Sequence, residues 1–216
     1  MKIVAINASP RRKWNTATLV GEAAEGAKSE GAEVVTFNLY DLGVYSGCVS
    51  CFGCKIGNNK GKCVHKDGLS KVLDEIRTAD GLIMGSPNYL GDVTAAFRAL
   101  YERLVFQYIT YSNDPWSYNE RHIPVLMIMT SNISEERYPE VGYDVVLEKY
   151  KQTLSAHIGP TDIMISGDTL QVNDYSKYDW GYFDPEKKKI RHETEFPAER
   201  KKVFELGAEM VRRLSK

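Results

Sequence analysis

The run Ser9-Pro-Arg-Arg-Lys-Trp-Asn-Thr-Ala-Thr18 sets Ser9, Asn15, Thr16 and Thr18, all short hydrogen-bonding side chains, beside the charged Arg11. It leads directly into an apolar-periodic segment that reads as a helix. The first amides of a helix lack partners and its dipole favours an anion, so this loop suits a phosphate, with Arg11 adding a charge-assisted contact. A plain cap at Asn15 or Thr16 is the alternative use of such residues. It does not account for Ser-Pro-Arg and Asn-Thr in one loop. The loop has neither G-x-x-x-x-G-K-[ST] nor G-x-G-x-x-G, which removes two competing nucleotide-binding loops.

Two more segments carry site-like residues. In Gly85-Ser-Pro-Asn-Tyr-Leu-Gly91, Pro87 stiffens the turn, Gly91 permits close approach of backbone to a ligand, and Tyr89 offers a flat, polar-tipped surface. Thr130-Ser131-Asn132 supplies small donors for the polar edge of a ring. Cys48, Cys51, Cys54 and Cys63 are the chain's four cysteines. Their two overlapping C-x-x-C steps would wrap one corner of a 4Fe–4S cluster, and Cys63 would complete the ligands. Zinc bound by four thiolates is a second use, and reduced thiols made redox-sensitive by Lys55, Lys60 and Lys62 a third. Such clustering argues against a disulfide framework.

The elements that must position these loops follow from periodicity. Lys2–Asn7, Glu33–Leu39, Asp80–Ser86, Ile123–Thr130 and Asp162–Leu170 read as strands, mostly buried runs closed by turn residues. Thr16–Glu30, Gly68–Thr78, Val93–Gln107, Tyr143–Ile158 and Pro197–Leu214 read as helices. This alternation predicts a three-layer α/β sandwich with a doubly wound, five-stranded parallel sheet of order 2-1-3-4-5. Ligands of such sheets sit beyond the carboxyl ends of the strands, where strand order reverses, and the three loops above all lie there. The chain is expected to form a single domain over 1–216, with a cysteine-rich loop at about 44–66. A stretch at about 173–196 holds Tyr175, Tyr178, Trp180, Tyr182 and Phe183 and then Asp184-Pro185. It is expected to be a surface hairpin or flap, capping a ligand, meeting a neighbouring subunit, or tied down on its own domain.

Composition narrows the partners. A net charge of −1 with both signs numerous predicts no nucleic-acid partner, and no apolar run approaches the ~20 residues of a membrane span. No h-region precedes Asn7, so a cytoplasmic protein is expected. His65, His122, His157 and His192 show no ligand spacing, and no G-x-S-x-G elbow is present, so no catalytic side chain is assigned.

Ser-Pro-Arg…Asn-Thr, then Ser-Pro-Asn-Tyr-Leu-Gly followed by Ala96-Phe-Arg-Ala-Leu-Tyr-Glu-Arg103, resembles the flavodoxin-like NAD(P)H-dependent FMN reductases, closest to the branch that includes the iron–sulfur flavoproteins. The resemblance implies a flavodoxin-like fold and FMN held by its phosphate at Ser9, Arg11, Asn15 and Thr16. It also implies Pro87, Asn88, Tyr89, Leu90 and Gly91 along the isoalloxazine ring. NAD(P)H would be the reductant, the electron acceptor a quinone, flavin, metal or protein, and the assembly a homodimer or tetramer. Arg98 stands where the family usually has Lys, Glu102 where it has Asp, and the Cys54–Cys63 gap is longer than usual. An electron-carrying flavoprotein that does not turn over nicotinamide, with FMN and a 4Fe–4S cluster, is the alternative reading. A protein that has kept the fold but lost the cofactor is the other.

Overall fold

The computed structural model describes residues 1–215. Strands β1 (Lys2–Asn7), β2 (Glu33–Asn38), β3 (Gly81–Pro87), β4 (Val125–Thr130) and β5 (Thr161–Ser166) form one sheet of order β2-β1-β3-β4-β5. Every neighbouring pair is parallel, as the alternating elements predict. Successive side chains of a strand point to opposite faces, and here both faces are apolar. Val4 and Ile6 of β1 pack with α2 (Leu69–Arg77), α3 (Ala95–Phe106) and α5 (Tyr143–His157), the last preceded by the short α4 (Tyr138–Val141). Ile3 and Ala5 face α1 (Asn15–Ser29) and α7 (Phe196–Leu214) instead.

The second face is unusually tight because glycines remove the side chains that would hold backbones apart. A Cβ on Gly26 of α1 would lie 1.9 Å from the Phe204 carbonyl oxygen, and one on Gly207 of α7 would lie 1.9 Å from that of Ala23. A Cβ on Gly85 of β3 would meet Val20 at 2.4 Å and Thr16 at 3.1 Å. Together these contacts seat the start of α1 directly over the carboxyl end of β3.

Two expectations change. β5 ends at Ser166 rather than Leu170, because Asp168 adopts a left-handed conformation (φ 50°) and the chain folds back so that Thr169 bonds Ser131. The 173–196 stretch is not a hairpin: it contains a 3-10 turn at Tyr175–Lys177 and α6 (Pro185–Thr194). Asp184-Pro185 is a helix start, since the Asp184 carboxylate accepts the amides of Glu186 and Lys187 at 3.1 Å and proline suits the first helical position. No described helix is long and apolar enough to cross a membrane.

The glycine contacts make a paired prediction. A Cβ at Gly21 would meet nothing within 4 Å, so Gly21→Ala gains only helix propensity and stabilises by up to about 1 kcal/mol. Gly26→Ala gains the same propensity yet destabilises by about 1–3 kcal/mol, because it forces α1 and α7 apart. Urea unfolding midpoints of the two variants will move in opposite directions.

Candidate functional site

At the carboxyl end of β1 the side chain of Asn7, buried beside Asn38 of β2, shapes the loop that follows. Its Oδ1 accepts the Ser9 amide at 3.0 Å and its Nδ2 donates to Asn38 at 3.0 Å. Ser9 Oγ accepts the Arg11 amide at 3.1 Å, which leaves its own O–H free to donate. The helix that follows has no side-chain cap and no acidic residue in its first turn. Neither Asn15 nor Thr16 is therefore an ordinary cap. Asn15 Nδ2 donates to the Leu170 carbonyl at 2.8 Å, and Thr16 Oγ1 shares a 2.7 Å bond with Thr130 Oγ1. One of those two threonine hydroxyls must donate to the other, so one hydrogen remains for a third partner. The start of α1 thus offers uncapped amides, a positive dipole end and free hydroxyls at one spot.

Arg11 lies over the Trp14 ring at 4.0 Å and donates to the Gln171 carbonyl at 2.6 Å. Burial lowers its pKa from the ordinary arginine value, while the nearby hydroxyls of Tyr89, Tyr178 and Tyr175 act the other way. Trp14 Nε1 also donates to Leu170 O, at 3.0 Å. The segment after β5 is thereby tied to the first loop by three side chains, and the Gln171 amide donates to Tyr175 Oη at 3.0 Å. The aromatic flap is tied down on its own fold, with Tyr178 stacked on Trp180 at 4.3 Å. Thr18 lines a cleft together with Asn15, Lys13, His192, Phe196 and Arg200.

The loop after β3 is a closed turn. The Asn88 amide donates to Thr130 O at 2.7 Å, its Oδ1 accepts the Gly91 amide at 3.0 Å, and the backbones of Tyr89 and Asp92 bond each other. Leu90 (φ 56°) and Gly91 (φ 87°) are both left-handed, and Leu90 is fully exposed at 105%. Pro87 and Asn88 are half-buried beneath it. After β4, Thr130 reaches Thr16 as described, whereas Ser131 is a brace. Its hydroxyl donates to Ile133 O at 2.6 Å and accepts the Tyr138 hydroxyl at 2.8 Å. Sequence reasoning missed Thr94, which ties the first two loops together. It is fully buried, donates to Ala8 O at 2.9 Å, caps α3 at Phe97, and its own amide donates to Ser86 Oγ at 3.0 Å. Its position one residue before Ala95-Ala-Phe is an N-cap signature.

The cysteines form a second, separate cavity. Ser50 and Phe52, on either side of Cys51, are left-handed, and the chain coils so that Cys48, Cys51, Cys54 and Cys63 all line one space with Arg103 of α3 and Gln107 just after it. That space is narrow, about 20 Å³, little more than one water. Among the described residues no group of three or more His, Cys, Asp or Glu side chains is arranged to hold a single metal ion, so the zinc reading gains nothing. Burial raises the Cys54 thiol pKa despite the opposing pull of Lys55, contrary to the expected activation by lysines. Lys55 is engaged with the Phe106 carbonyl and lies 4.3 Å from the Phe106 ring, and Lys62 pairs with Asp74 at 3.8 Å. The two residues that depart from the family pattern face this loop, not the first: Arg98 pairs with Glu102, whose other oxygen accepts the Cys48 amide at 3.3 Å.

Comparisons with known proteins bear on the family and the fold. The family model described as NADPH-dependent FMN reductase matches residues 1–135. An iron-sulfur flavoprotein from Methanocaldococcus jannaschii is 37% identical over 103 residues, covering 48% of this chain and 51% of that protein. One from Archaeoglobus fulgidus is 36% identical over 105 residues, covering 48% of each. The chain thus spans about half the length of the curated relatives it matches. Among solved structures, a NAD(P)H:quinone oxidoreductase from Methanothermobacter marburgensis superposes with a TM-score of 0.68 at 14% identity, over 97% of this chain and 96% of that one. An azoreductase from Bacillus anthracis gives 0.69 at 11%, over 96% and 99%. At such identities these two structures bear on the fold alone.

Arg103 generates the test at this site. Its buried guanidinium donates to both Asp67 oxygens at 2.6 and 2.7 Å. Burial alone would raise the Asp67 pKa, but Arg103 and the amides of Ser46 and Leu69 outweigh it and hold the carboxyl below its ordinary value. The pairing is therefore complete above pH about 4 and is lost as pH falls through that lowered pKa. Asp67→Asn leaves Arg103 buried without a counter-charge and should cost about 3–5 kcal/mol at neutral pH, with a flatter loss of stability on acidification. Urea titrations at neutral and acidic pH measure both effects.

Proposed function

Since this chain belongs to the NADPH-dependent FMN reductase family, we propose that it is an FMN-dependent oxidoreductase that takes hydride from NAD(P)H and passes electrons to a second acceptor. The acceptor would be a quinone, a flavin, a metal ion or a protein. The observation that carries the reading is the uncapped start of α1, where a free Ser9 hydroxyl and the Thr16–Thr130 pair converge. When bound, FMN supplies the hydride chemistry, and the protein contributes placement and electrostatics. The amides at the head of α1, with Ser9 and Thr16, hold the phosphate dianion. Arg11 and Asn15 act from behind, fixing the loop to Leu170 and Gln171, and Arg11 adds positive charge. Pro87 to Gly91 give the ring a rigid edge, with Tyr89 and the exposed Leu90 at its rim. The exposed aromatics Tyr178, Trp180 and Tyr182 support self-association into a dimer or tetramer. Light scattering at micromolar concentration checks it, and a monomer would refute it.

A second group is favoured by one observation. All four cysteines line one cavity, and of the four buried side-chain polar atoms lacking partners among the described residues, two belong to it: Arg103 Nε and Gln107 Nε2. Four cysteines and two residues with spare N–H donors on one cavity fit a sulfur-rich anion, and the iron-sulfur flavoprotein names of the relatives support a 4Fe–4S cluster here. Cys48, Cys51, Cys54 and Cys63 would hold it, and it would supply one-electron transfer.

Two measurements test the proposal. Calorimetric titration should give FMN an affinity at least about tenfold above riboflavin, since hydrogen bonds to a charged group are each worth about 1.5–3 kcal/mol. Thr16→Val should erase most of that difference without unfolding the protein. Equal affinities for FMN and riboflavin would place no phosphate at α1. Anaerobic oxidation of NADH and NADPH with a panel of acceptors then identifies both substrates, and no oxidation of either would leave the electron-carrier reading.

A further inference from the structure

Gln107 is 2% exposed, and its side-chain orientation is fixed by a backbone contact: Oε1 accepts the Cys63 amide at 3.0 Å. Turning the amide over would set its NH2 against that N–H, so Nε2 must face the other way, and there it has no partner. Arg103, also 2% exposed, commits Nη1 to Asp67 and Nη2 to the His65 carbonyl at 2.7 Å. Its Nε is left over, and Arg103 lines the same cavity as Cys63. A buried, unmet donor costs about 1–3 kcal/mol, and two beside the same four cysteines make a chance arrangement a poor account.

We propose that Arg103 and Gln107 are hydrogen-bond donors to the sulfur-bound group in the cysteine cavity, and that they set its reduction potential upward. The inference rests on the cluster reading above. Reduction adds one electron and no proton, so the reduced form carries one more negative charge. N–H donors and the guanidinium charge favour that form, and hydrogen bonds to cluster sulfurs are one of the protein's means of setting potential. Both residues are positioning residues that act through the sulfurs.

Anaerobically reconstituted full-length protein provides the test. Gln107→Glu keeps the acceptor for the Cys63 amide and replaces the Nε2 donor by a carboxylate oxygen. Gln107→Met removes the donor without adding charge, and Arg103→Lys keeps a cation for Asp67 while deleting Nε. Iron and acid-labile sulfide are counted in each, and the midpoint potential is read by dithionite titration followed by electron paramagnetic resonance. The expected result is loading like that of the parent, with the equilibrium constant for reduction lowered at least about tenfold, a fall of ~59 mV for one electron. Variants that load fully and keep the parent potential overturn the donor role and leave the cluster standing. A parent protein that takes up no iron overturns the cluster reading, and the donor role with it.

Discussion

The close contact between α1, α7 and β3 is the constraint on which the ligand end depends. Helices normally keep about 8–10 Å between axes because side chains fill the gap. With Gly26 and Gly207 facing each other's backbones, and Gly85 beneath Thr16 and Val20, α1 is drawn down until its first turn sits at the reversal of strand order between β1 and β3. A helix start left uncapped at a crevice is costly as structure alone. It is economical where an anion completes it. The same closeness lets Thr16 reach Thr130 across the sheet, so the loops after β1 and β4 are joined by one hydrogen bond.

Much of this arrangement could be read from residues alone. Strand order was legible because every strand is a short β-branched or apolar run and every crossover holds an amphipathic helix, a pattern with few right-handed solutions. The loop after β1 stands out because its residue types are rare together, and the structure sets Thr16 at the start of α1, bonded to Thr130. Long-range partners were not legible. Nothing in Asn15 announces that its amide goes to Leu170 O, or in Arg11 that it goes to Gln171 O, since these bonds span 155 and 160 residues and depend on where β5 ends. That end is itself set by a left-handed Asp168, a conformation aspartate tolerates but does not advertise. Asp184-Pro185 serves equally well as a turn or as a helix start, and only the charged run after it, with Lys188 buried against Asp168 and Asn132, decides for the helix. At Cys54 the nearby lysines are a poor guide for a different reason. Sequence proximity counts charges but not burial, and burial dominates at Cys54.

One helix joins the two halves of the molecule. The N-terminal cap of α3, Thr94, braces the loops after β1 and β3, and its last turn carries Arg103 and Phe106, with Gln107 just beyond, to the cysteine cavity. Twelve residues of helix make this a rod of roughly 18 Å, so the two ends cannot shift independently. The rod also has a polarity. Its carbonyl end, carrying partial negative charge, points toward the cysteines and would by itself repel an anionic group there. Three side chains oppose that field: Lys55 is seated on the Phe106 carbonyl, and Arg103 and Gln107, which line the same space, each keep an unpartnered N–H. A bare thiol pocket has no need of such compensation. Were the four sulfurs to carry negative charge, those three side chains would offset the polarity of α3.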